Sequence, residues 1–141
     1  MKLKELKSAT GKTFLRIGFD TQNQWVHADW HGYPTPDNVA TGAIAYLNSM
    51  KEHDCHSVLN DNRNLVGPWD QSLDWLEKEW IPYAVRSGLK HFAHVGDNHS
   101  FSTNSASNFK TRIKGAFEME IFDDVEKAKA WLKANNVLQV F

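Results

Sequence analysis

Apolar, β-branched and aromatic residues concentrate in two early stretches, Thr13 to Phe19 and Gln24 to His31. Asp20 to Asn23 between them supplies turn chemistry, which predicts two antiparallel strands in a hairpin. After Gly32 the spacing changes. Thr35-Pro36-Asp37 combines an N-cap, a proline at the first helical position and an acid in the first turn. Val39, Ala43, Tyr46, Leu47 and Met50 then recur at helical spacing, so a helix runs to about His53 with its apolar stripe on the sheet.

Ser57 to Asn60 reads as a short buried strand that breaks into a polar, turn-rich loop, Asp61-Asn62-Arg63-Asn64. A helix between the hairpin and this strand implies a right-handed crossover and parallel pairing. From about Asp70 a second helix puts Leu73, Leu76, Trp80 and Ala84 on one face, with a kink expected near Ile81 because Pro82 lacks a backbone donor. Gly88 fits a left-handed cap. Lys90 to Val95 is a fourth strand, and Phe101 to Lys114 keeps helical spacing at Ala106, Phe109 and Ile113 despite its serines and asparagines. Phe117 to Phe122 alternates well enough for a strand near an edge. Asp123 to Glu126 forms an acidic capping box for a last helix that packs Val125, Ala128, Trp131 and Leu132 inward, and Val137 to Phe141 is an apolar tail expected to dock. The sum is an α/β chain: an N-terminal β-hairpin followed by βαβ units, giving a mixed five-stranded sheet with about four helices.

The 141 residues suit a single domain, 1–141, with one core. Sixteen basic and seventeen acidic side chains nearly cancel, with no block of five like charges, which argues against nucleic acid or an anionic membrane as partner. Cys55 is the single cysteine and cannot form an internal disulfide, and Met1 to Ser8 is charged where a signal peptide would be apolar. No run approaches the roughly eighteen apolar residues of a spanning helix. A cytoplasmic protein is expected.

The chemistry concentrates where the third strand hands over to the second helix, the end of an open α/β sheet at which ligands bind. Asp61 and Arg63 either position a polar ligand or a partner's backbone, or brace the loop by pairing with each other, Asp29 or Asp70, and Asn62 lies between them. Of six tryptophans, Trp80 and Trp131 fall on core stripes. Trp69 sits on the loop and Trp75 lies off the helix's apolar face, so with Trp30 they would line an aromatic pocket or an interface if exposed, and otherwise cover the end of the sheet. His53-Asp54-Cys55-His56 packs three metal-ligand types into four residues, but no second close pair lies at a finger-like distance, so no metal site is expected. Gly11-Lys12-Thr13 mimics the end of a phosphate loop, yet Leu6 stands where the first glycine belongs. No motif calls for a cofactor.

Three stretches carry a family likeness: Val58-Leu59-Asn60-Asp61-Asn62-Arg63; Trp75 through Pro82 and on through Gly88-Leu89-Lys90; and Phe122-Asp123-Asp124 with Ala130-Trp131-Leu132. Together they resemble the STAS-like bacterial proteins related to the sporulation anti-sigma-factor antagonist, the SpoIIAA-like fold. The resemblance implies a non-catalytic regulatory or ligand-sensing module that binds a protein partner or a small ligand. In regulatory members a serine after the strand's aspartate is phosphorylated as a switch. Here Asn62, Arg63 and Asn64 follow Asp61, and Ser72, read as an exposed first-turn residue, is the one substitute. Two other readings stand beside this one: a small enzyme using Asp61 as acid or base near His27, His31 and Asp29, and a homodimer joined through exposed tryptophans.

Overall fold

The computed structural model describes residues 3–137. Six strands form one mixed sheet in sequential order: β1 (Leu3–Lys7), β2 (Thr13–Asp20), β3 (Trp25–Gly32), β4 (Ser57–Leu65), β5 (His91–Val95) and β6 (Glu118–Phe122). β1 pairs with β2 and β2 with β3 antiparallel, and β3 through β6 are parallel to one another. The sheet has six strands where five are expected. Leu3–Lys7 is an edge strand carrying charge at three of its five positions, so its sequence lacks the apolar signal of a strand. Its place is marked instead by a cross-strand pair, Glu5 opposite Arg16, with Arg16 Nε 3.0 Å from Glu5 Oε1.

Four helices accompany the sheet. α1 (Pro36–Glu52) starts where expected, with the Thr35 side chain accepting a hydrogen bond from the Asn38 N–H. The second, α2, spans 70–86 as a 3-10 turn (Asp70–Ser72), an α turn (Leu73–Trp75), a π turn (Leu76–Trp80) and a final α segment (Ile81–Arg86). The wide turn falls just before Pro82, whose missing N–H and ring the helix absorbs by loosening rather than by stopping. Gly88 follows at φ 93°. α3 (Phe101–Ile113) is capped by Ser100 and closed by a left-handed Lys114. α4 (Val125–Val137) is capped by Asp124, one residue later than the capping box predicts, because Asp123 accepts a hydrogen bond from Asn98 instead. The tail 138–141 lies outside the described residues.

Right-handed crossovers between sequential parallel strands put α1, α2 and α3 on one face. The larger core forms there around the fully buried Trp80, whose ring meets Tyr46, Phe92, Phe109 and Phe117 edge-on at 5.7 to 6.0 Å and whose indole N–H bonds the Ala43 carbonyl at 3.0 Å. Each such side chain contributes about 1.5–3 kcal/mol by leaving water. Gly42 lets α1 lie against the sheet, since a Cβ there would meet the Trp30 ring at 2.5 Å. On the opposite face α4 packs on β4, β5 and β6 through a smaller core that includes Trp25, Leu59, Val95, Ala128 and Leu132. No helix among the described residues is long and apolar enough to cross a membrane.

Candidate functional site

The polar run after Asn60 is strand, not loop. Asparagine and aspartate favour turns, but β4 lies between two parallel neighbours, and the ladder continues through Asp29 opposite Asp61 to Gly32 opposite Leu65, with a bulge after Asp29. Side chains in a strand alternate between faces. The predicted cluster therefore splits across the sheet: Asp61 and Arg63 emerge on the α4 side, and Asn60 and Asn62 on the side of α1 to α3.

On the α4 side Asp61 is only 1% exposed. Arg63 grips it with both ends of its guanidinium, Nε donating to Oδ1 at 2.9 Å and Nη2 to Oδ2 at 2.7 Å, while the Arg63 backbone N–H donates to Oδ1 at 3.1 Å. His27 Nε2 lies 3.4 Å from Oδ2. Burial opposes ionisation of Asp61, but the hydrogen bonds from His27 and Arg63 and the guanidinium charge outweigh it and hold the carboxyl well below the usual carboxylate range. By distance the Arg63 fork is the stronger of the two contacts. Next to this pair, His31 Nε2 sits 2.9 Å from Asp29 Oδ2 and 3.3 Å from Arg16 Nη1, which links Arg16 and Glu5 into the same charged strip; the buried Asp29 Oδ1 has no partner. Asp61 and Arg63 thus pair with each other rather than with Asp29 or Asp70.

On the other side a hydrogen-bonded chain joins three elements. Trp30 Nε1 donates to Asn60 Oδ1 at 2.8 Å, Asn60 Nδ2 to Asn62 Oδ1 at 3.3 Å, and Asn62 Nδ2 to Ser102 Oγ at 2.9 Å. Trp69 Nε1 also donates to Ser102 Oγ, at 3.2 Å, and its backbone N–H to Ser105 Oγ, at 3.0 Å. His94 is fully buried beside Asn60, and burial pushes its pKa down to about 4, so the ring is neutral near pH 7. Its Nδ1 faces the Asn60 amide at 3.5 Å as acceptor, which leaves the Nε2 proton without a partner.

Against this chain lies a cavity of about 40 Å³ whose walls include Trp30, Tyr46, Asn60, Asn62, Leu65 and Trp69. It sits at the C-terminal ends of β3 and β4, the ligand end of a parallel sheet. Three large apolar side chains are exposed where the chain leaves the C-terminal ends of β3, β4 and β5: Tyr33 at 68% just after β3, Val66 at 62% just after β4, and Phe101 at 69% at the start of α3. The Tyr33 ring comes 3.5 Å from the position a Cβ on Gly67 would take, and Phe101 adjoins Ser102.

The aromatic residues singled out in the sequence also separate. Trp30 and Trp69 are buried walls of the cavity rather than an exposed cluster, because each indole N–H has an internal acceptor. Trp75 is half-buried against the larger core and is not a cavity wall. Ser72 is buried, not exposed, and its hydroxyl has no partner, so a kinase has no access to it in this fold. Asn60, Tyr46 and Ser102 escape a sequence reading. Strand parity carried through Leu65 would have found Asn60, whereas no local pattern marks Ser102. Among the described residues no group of three or more His, Cys, Asp or Glu is placed to hold a metal ion. Scans against models of known families, curated proteins and solved structures find no match to the chain.

Proposed function

We propose that the chain is a non-catalytic cytoplasmic binding module, a regulatory or ligand-sensing domain of the STAS-like, SpoIIAA-like kind, that holds a small ligand at the C-terminal end of β4. The observation that carries this reading is the cavity: apolar aromatic walls with two converging asparagine amides at the sheet end, the usual form of a small-molecule site. Asn62, Trp30 and Trp69 contribute contacts to the ligand, and Asp61 with Arg63 holds β4 rigid behind them. A protein partner is the variant of this reading in which the occupant is a side chain from another chain.

The rival, an enzyme with Asp61 as acid or base, asks for a carboxyl that changes protonation near neutral pH. Asp61 is held ionised, with both oxygens engaged. A screen of small soluble compounds by ¹H–¹⁵N NMR tests the proposal. Hits are expected to move the indole N–H signals of Trp30 and Trp69 and the side-chain amides of Asn60 and Asn62. Hits that map to the His27, Asp61 and Arg63 face instead overturn it.

A further inference from the structure

The occupant of the cavity is constrained by three features of its walls. None of the residues lining it carries a formal charge at neutral pH, and the nearest buried carboxylate, Asp61, faces the other side of the sheet. At about 40 Å³ it has room for roughly three water-sized groups, at about 10–15 Å³ each. And it contains unspent hydrogen-bonding capacity. Tyr46 is 4% exposed, packs its ring against Trp30, Trp80 and Phe92, and has no hydrogen-bond partner for its hydroxyl among the described residues. Asn62 donates one N–H to Ser102 and keeps a second. By contrast Asn60 and the two indoles already have internal partners.

We infer that the cavity takes the neutral polar head of a small amphiphile, a primary amide or alcohol, whose apolar body lies over the exposed Tyr33, Val66 and Phe101. This rests on the binding reading above and gives it a ligand class. The head carries one carbonyl or hydroxyl oxygen, which receives the Tyr46 hydroxyl proton and the spare Asn62 N–H. A carboxylate is rejected, because it would enter an apolar cavity with no cation to meet it. The apolar body replaces water over three side chains that a folded chain otherwise leaves exposed.

The test is an NMR titration of the full ¹⁵N-labelled chain with hexanamide and with hexanoate, its charged counterpart. Hexanamide is expected to shift the Trp30 and Trp69 indole signals saturably, and hexanoate to bind at least tenfold more weakly. Tyr46→Phe should weaken hexanamide about tenfold with the remaining spectrum unchanged, and the surface pair Val66→Ser with Phe101→Ser should weaken it without touching the cavity. Equal binding of hexanoate, or hexanamide binding indifferent to Tyr46→Phe, overturns the ligand class. If compounds of another class still enter the cavity, the binding module stands; if nothing enters it, both fall.

Discussion

Replacing Arg63 by alanine isolates the brace behind the cavity. The change removes two of the four contacts to Asp61, the guanidinium bonds at 2.9 and 2.7 Å, and keeps the backbone N–H at 3.1 Å and His27 at 3.4 Å. A charged group left buried without its partner costs roughly 3–5 kcal/mol. Arg63 is 42% exposed, so solvent already screens part of the attraction, and two contacts survive. The expected loss at pH 7 is therefore about 2 kcal/mol. Asp61 has a lower pKa folded than unfolded, so the stability its ionisation supplies is present above about pH 4 and disappears as pH falls below that. Without Arg63 the folded pKa rises toward the ordinary value, and less is lost on acidification. Urea unfolding followed by tryptophan fluorescence, run from pH 7 to below pH 3, should give the widest gap between wild type and Arg63→Ala at pH 7 and a gap that starts to narrow below about pH 4 and keeps narrowing through the lowest pH reached. A variant within about 0.5 kcal/mol of wild type at pH 7, or a gap unchanged by pH, refutes the brace.

Gly42→Ala gains helix propensity but drives a methyl into the Trp30 ring and Leu15, so a net loss of about 1–3 kcal/mol in chemical denaturation is expected. Ser102→Ala leaves both the Asn62 amide and the Trp69 indole without an acceptor; a loss of about 2 kcal/mol and an altered Trp69 environment in near-UV circular dichroism should follow. His94 binds its proton below about 6.5 in the unfolded chain and only below about 4 in the folded one, so stability should fall as pH drops between those values, by up to about 3 kcal/mol. His91, also lowered by burial, adds to that slope, and His94→Leu should flatten it in part in thermal unfolding measured across pH 4 to 7.

Much of the frame is legible in the sequence because the signals are local: the hairpin turn at Asp20 to Asn23, the Thr35-Pro36 start of α1 and the Gly88 stop each need only neighbouring residues. What escapes is set by partners distant in sequence. Leu3–Lys7 is a strand through its pairing with β2, where Glu5 lies opposite Arg16. Asp61, Asn62 and Asn64 have turn-forming side chains, yet β5 pairs alongside as far as Asp61 and β3 alone carries the ladder on to Leu65, which overrides that preference. That one extension decides the site: a loop would gather Asp61, Asn62 and Arg63, whereas a strand sends them to opposite faces. The burial of Trp69 depends in turn on Ser102 and Ser105, more than thirty residues away.

The strictly sequential strand order also bears on how the chain assembles. Every strand joins the growing edge beside the one made just before it, so no strand must wedge between two that are already paired. Contacts between successive elements keep loop-closure costs low, and synthesis from the N-terminus presents each new strand to a finished template. A growing chain of this topology can therefore fold in the order in which it is made, with Glu118–Phe122 closing the sheet.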